Sequence, residues 1–154
     1  MPKFETTRRV PYTALQMYQI VADVEAYPQF LPLCEALKVE SREVAGGQTI
    51  IIATMSVGYK TIRESFRTRV TLTPGEPAIL VEYLDGPFRR LENRWRFLPT
   101  TTGSDVHFFI DYEFRSVMLS VLMGALFDKA FRRFSEAFED RARTVYGPVQ
   151  PAQA

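Results

Sequence analysis

The sequence predicts an α+β fold: a curved antiparallel sheet of about seven strands wrapped around one long C-terminal helix, with two short helices after the first strand. Three observations carry this. Across residues 37–114 apolar side chains recur with a period of two, broken at short intervals by Gly, Pro and Asp. Across residues 116–146 the period becomes that of a helix and runs without interruption. Strands joined by tight turns pair antiparallel with one greasy face, and the long helix is the natural cover for that face. A curved sheet closed over a single helix encloses space unless side chains fill it.

Taken in order, Lys3–Val10 reads as a short strand. Pro11 opens a helix, a position where its missing amide hydrogen costs nothing, and Leu15, Tyr18, Ile20, Val21 and Ala22 give that helix an apolar side. It ends before Pro28, and residues 27–32 form an aromatic-rich corner. Residues 37–44 and 48–57 are strands joined by a hairpin turn at Gly46-Gly47. Gly58-Tyr59-Lys60 turns the chain again. Residues 61–73 set Ile62, Glu64, Phe66, Val70 and Leu72 against Arg63, Arg67 and Arg69. After Pro74-Gly75, residues 78–84 form a strand that Asp85-Gly86-Pro87 breaks. Residues 90–98 place Leu91, Asn93, Trp95 and Phe97 opposite Arg90, Glu92, Arg94 and Arg96. The last strand puts Val106, Phe108, Ile110, Tyr112 and Phe114 on one face. Ser116 caps the long helix and Gly147-Pro148 stops it. Residues 1–147 form a single domain and residues 148–154 a loose tail.

Composition narrows the function. A formal net charge of +1 supplies no bulk field for nucleic acid. One cysteine, Cys34, excludes an intramolecular disulfide and a cysteine zinc cluster, and favours a reducing compartment. The first residues lack a secretory pattern, and the apolar run over residues 117–127 is about half of the ~20 residues a spanning helix needs. The expectation is a cytoplasmic protein with peripheral contact at the inner face of the membrane. No phosphate-binding loop, dinucleotide fingerprint or paired-histidine zinc motif is present. The single histidine, His107, faces outward by strand parity, and Cys34 reads as a structural thiol. No catalytic residue and no metal site are expected.

Twelve Phe, seven Tyr and one Trp suit either a thick core or a cavity for an apolar guest. Glu64, Asn93 and Tyr112 lie on faces that otherwise point inward. Each bonds to its neighbours, backbone or water, or meets the polar end of a guest. The arginine stripes read as a salt-bridged outer face, with ribosomal RNA contact as the minority reading. The long helix carries more apolar surface than a cover needs, because Val117, Met118, Val121 and Ala125 add to its stripe at the start.

Three motifs point to a family. The corner over residues 27–34, the segment Gly86-Pro87-Phe88-Arg89-Arg90-Leu91 with residues 93–97 after it, and Phe138-Glu139-Asp140-Arg141-Ala142 before Tyr146-Gly147 resemble the signatures of the coenzyme-Q-binding START-domain proteins, and Glu64-Ser65-Phe66 also matches. These belong to the polyketide-cyclase-like, helix-grip superfamily. The resemblance implies a module that binds ubiquinone or a related polyisoprenoid and supports respiration, with no catalytic cofactor. Bacterial members also carry the label of ribosome-association toxins, and a cyclase or dehydratase is a further alternative. On the implied fold, Phe30, Leu33, Phe66, Trp95, Phe108, Leu122 and Leu126 form the ligand wall, and Glu64, Asn93 and Tyr112 meet the polar ring. Tyr59, Lys60, Phe88, Arg89, Met118 and Val121 form a rim that meets a membrane. An oligomer interface is the rival reading of that rim.

Overall fold

The computed structural model describes residues 3–148 of the 154. Most of the expected tail lies outside the described residues. Seven strands form one sheet: β1 (Lys3–Val10), β2 (Cys34–Ala45), β3 (Gln48–Tyr59), β4 (Ile62–Thr73), β5 (Ala78–Asp85), β6 (Phe88–Pro99) and β7 (Ser104–Phe114). Their order is β1-β7-β6-β5-β4-β3-β2, so six strands follow one another as a meander, and β1 adds to the far edge beside β7. Every pairing is antiparallel. Helix α1 (Ala14–Ala22) and a short 3-10 turn (Val24–Gln29) connect β1 to β2, and helix α2 (Val117–Tyr146) closes the chain. The expected α+β architecture stands.

Local chemistry explains most boundaries. Gly46 and Gly47, at φ 58 and 77, make the two-residue β2–β3 turn that matches strand twist. Helix α1 starts later than its proline suggested. Thr13 accepts from the Gln16 amide while the Gln16 side chain accepts from the Thr13 amide, a capping box that outweighs Pro11. Ser116 caps α2 by accepting from the Leu119 amide, and Gly147 at φ 84 ends it. Strand β3 runs through Gly58 to Tyr59, so only Lys60 and Thr61 form the turn to β4.

Phe88 corrects the expected rim. Strand alternation carried back from Arg90 puts Phe88 outside, but a register shift between Phe88 and Arg90 inserts an extra residue and turns the ring inward. Phe88 is fully buried, stacked on Phe114 at 4.9 Å and edge-on to Phe66 at 5.3 Å. Gly86, at φ 142, makes room for this: a side chain there would strike Cβ of Phe66 at 2.6 Å.

The core is an aromatic seam between sheet and helix. Phe127, Phe131, Phe134 and Phe138 lie three or four residues apart on α2 and meet Phe88, Tyr112, Phe108 and Trp95 of the sheet. The C-terminal end of α2 is also tied by polar contacts. Arg8 Nε donates to Glu139 at 2.6 Å, Tyr12 donates to the Gly147 carbonyl at 2.9 Å, and Arg141 donates to Gln29 at 3.2 Å. Since Phe88 belongs to this core, Phe88→Ala should lose about 3–5 kcal/mol in urea unfolding. A loss below about 1 kcal/mol would contradict the burial described here.

Candidate functional site

Between the sheet and α2 lies a partly open apolar cavity of about 70 Å³. The inward positions of six strands build its floor: Leu37 of β2, Ala53, Met55 and Val57 of β3, Phe66, Thr68 and Val70 of β4, Val81 of β5, Leu91, Asn93 and Trp95 of β6, and Ile110 of β7. Phe127, Ala130, Phe131, Phe134 and Phe138 of α2 form the roof, and the corner closes one side with Tyr27, Leu31, Pro32 and Leu33. Alternation delivers these side chains to one face, and register brings Asn93 opposite Val81 and Ile110.

The walls are apolar apart from Thr68, Asn93 and Tyr27. Asn93 donates to the Phe109 carbonyl and accepts from the Trp95 indole, both at 2.9 Å, which leaves one donor and one lone pair of its full capacity. The Tyr27 hydroxyl donates to the Val21 carbonyl, and burial pushes its phenol far above the ordinary range. Leu33 sits in the left-handed region at φ 68, and its carbonyl accepts from the Gly58 amide at 3.0 Å. The Glu35 carboxylate lies over Gly58, where a side chain would come within 2.5 Å of it.

The expected wall residues divide. Leu33, Phe66, Asn93 and Trp95 line the cavity. Phe108 faces inward but packs behind Trp95, against Phe4 and Phe134. Phe30 lies outside, edge-on to Tyr27 and Phe138 and beneath the Arg141 guanidinium. Tyr112 is buried between Phe88 and Phe131, and burial raises its phenol to about 12. Glu64 stays half-buried on the inward side of β4, nearer the turn than the cavity lining. Leu122 and Leu126 do not reach the cavity either. They line a separate outer groove of about 470 Å³ with Tyr59, Lys60, Thr61, Ile62, Ala125 and Lys129. Helix phase explains the split, because Met123 and Phe127 take the buried face and their neighbours rotate past it. Thr68 was not anticipated, although its parity with Phe66 and Val70 was available.

Of the expected rim, Met118 is 69% and Val121 76% exposed, beside Val117 at 83% and Leu122 at 55%. Tyr59 and Arg89 are also exposed. No described helix is long and apolar enough to cross a membrane. His107 pairs with Glu5 at 2.8 Å on the outer face. The arginine stripes are largely matched: Arg63 with Glu35, Arg67 with Glu40, Arg90 with Asp111 and Glu113, and Arg94 with Glu92.

An antiparallel sheet that grips one long helix over an apolar space is the START-like, helix-grip architecture. The chain belongs to the polyketide cyclase / dehydrase and lipid transport family, whose model matches residues 10–139. It is 37% identical to the ribosome association toxin RatA of Escherichia coli K12 over 147 residues, which are 95% of this chain and 90% of that protein. It is 30% identical to the mitochondrial coenzyme Q-binding protein COQ10 homolog B of Xenopus laevis, across 94% of this chain and 59% of that one. The solution structure of an 18 kDa Caulobacter crescentus protein superposes with a TM-score of 0.78 at 35% identity, covering 96% of this chain and 100% of the other.

Cys34 bears on the chemistry available near the cavity. It is buried, and burial pushes its thiol up to about 11. The folded protein should therefore keep a protonated thiol through neutral pH and react slowly with a disulfide reagent at pH 8. Unfolding in guanidinium should release fast labelling. Equal rates in the two states would contradict the burial.

Proposed function

We propose that the protein is a lipid carrier that takes the polyisoprenoid tail of ubiquinone, or of a related quinone, into the apolar cavity and supports respiratory electron transport without a catalytic step. The observation that carries this reading is the lining. Among the described residues that form it there is no Asp, Glu, His, Lys, Arg or Cys. Its one titratable group, the Tyr27 phenol, is held by Val21 and stays protonated. Such a wall rewards an apolar guest with about 25 cal/mol for each Å² of buried surface. It offers neither acid nor base to a cyclisation or dehydration. The similarity to a protein named for coenzyme Q binding supports the same choice.

A pocket for a ligand of this size measures ~300–1,000 Å³. The cavity is about 70 Å³, so loading a ligand of that size requires it to widen, with α2 moving away from β3 and β4. The helix packs on β7, β1 and α1, and the outer groove already separates its first turns from the β3–β4 turn. Opening there would join cavity and groove into one channel. The exposed Met118 and Val121, with Tyr59, would enter a membrane interface, with Lys60 and Arg89 near anionic headgroups. Thr68 and Asn93 are the polar groups left to meet the quinone ring. The resemblance to RatA carries a second reading, association with a ribosomal subunit. The paired arginines of the outer face give it less electrostatic support than their number suggests.

Native mass spectrometry of the purified protein should show a bound polyisoprenoid, and a ubiquinone analogue should quench Trp95, the single tryptophan. Ala130→Leu fills the cavity and should abolish quenching without lowering the melting temperature. A protein that is always empty and takes up no quinone would contradict the proposal, as would undiminished quenching in the folded variant.

A further inference from the structure

The outer groove holds a feature that the lipid cavity does not account for. The turn from β3 to β4 has two residues, Lys60 and Thr61, between the paired Tyr59 and Ile62. Lys60 has φ 57, and Thr61 has no positive φ. A two-residue hairpin of this kind takes glycine at its first position, because any other L residue is strained there. This chain accepts the strain and places a lysine. Its carbonyl is held by Arg63 Nη1 at 2.5 Å, so the turn is fixed rather than loose. Lys129 faces the same groove from α2. Among the described residues neither lysine has a carboxylate within ion-pair distance, in contrast to the matched arginines of the sheet. The nearest acid on the helix, Asp128, is bonded to Arg132 at 3.0 Å. Ile62, Leu122, Ala125 and Leu126 make the groove apolar, Lys60 Nζ lies over the Tyr59 ring 5.3 Å from its centroid, and the exposed helix start adjoins the groove.

We propose that this groove is a binding site for one anionic phospholipid of the membrane surface, with Lys60 and Lys129 on its phosphate and the first part of its acyl chain along the apolar floor. The inference rests on the membrane contact proposed above and adds its chemistry. The anionic headgroup is held at a defined site in the outer groove, with Lys129 as its second cation, outside the quinone cavity. Two lysines on the wall of one apolar groove match an amphiphile with a phosphate at one end. A zwitterionic headgroup satisfies the groove but returns no net charge to the lysines. Glycine would supply the same turn without the strain but also without the charge.

Flotation with vesicles of phosphatidylcholine alone, and of phosphatidylcholine doped with phosphatidylglycerol, tests this. Wild type should prefer the anionic vesicles. Lys129→Gln, at an exposed helical position, should weaken that binding about fivefold, and Lys60→Gly with Lys129→Gln about thirtyfold. Lys60→Gly alone should raise the melting temperature while weakening vesicle binding, a pairing that a merely structural lysine does not produce. Quinone quenching of Trp95 in detergent should be unchanged in Lys129→Gln, whose side chain is outside the cavity lining, which separates this site from the cavity. If wild type binds both vesicles equally, or the double variant keeps its preference, the inference fails even where quinone uptake succeeds. If wild type takes up no quinone but keeps the lysine-dependent preference, the cavity reading fails and this one stands. Inorganic phosphate at matched ionic strength should not displace the vesicles; displacement would assign the groove to a soluble anion and overturn the lipid assignment.

Discussion

The contact between the phenylalanines of α2 and the aromatic rings of the sheet is the constraint on which the rest of the structure depends. Phe127, Phe131, Phe134 and Phe138 project from one side of the helix and meet partners on β6 and β7 with ring centroids 5.0–6.2 Å apart. Each such pair adds about 0.5–1.5 kcal/mol to the burial of its surface. The rings do two things at once. They hold the helix to the sheet, and, being large and stiff, they hold it at a distance. The same four side chains roof the cavity. A seam of leucines could collapse into that space more readily, because each would have more rotamers with which to fill it.

The grip is uneven along the helix. Its C-terminal end is fixed by the Arg8–Glu139 pair, by Tyr12 on the Gly147 carbonyl, and by the edge-on contacts of Phe138 with Tyr27 and Phe30. Its first turns have Ser116 as a cap but leave Val117, Met118, Val121 and Leu122 in solvent. An element secured at one end and lightly held at the other opens at the lightly held end at the lower cost. That end borders the groove and the β3–β4 turn. The proposed lipid entry, membrane contact and headgroup site therefore fall in one region.

Much of this was legible in the sequence. The meander, the Gly46-Gly47 hairpin, the Ser116 and Gly147 ends of α2 and the inward face of β6 follow from period and turn chemistry. Leu33, Phe66, Asn93 and Trp95 reached the cavity because strand parity or corner position determined their direction. The failures have specific causes. Phe88 was misplaced by a bulge that alternation cannot show. Leu122 and Leu126 share an apolar stripe with Met123 and Phe127, and a stripe wider than the contact does not reveal which part is covered. Phe30 depends on the path of an irregular corner, and Tyr112 on whether its large neighbours close over it. The strain at Lys60 is a backbone property, and the residue type alone does not display it.

The central claim is that an apolar guest enters the space under the aromatic roof. A methyl NMR titration with a short-tailed ubiquinone analogue tests it most directly. The account predicts shifts at the cavity methyls of Leu33, Val57, Val70, Val81 and Leu91, with Val44 on the far edge unmoved. Shifts confined to Val117 and Val121, with the cavity methyls silent, would place the guest on the surface and contradict it.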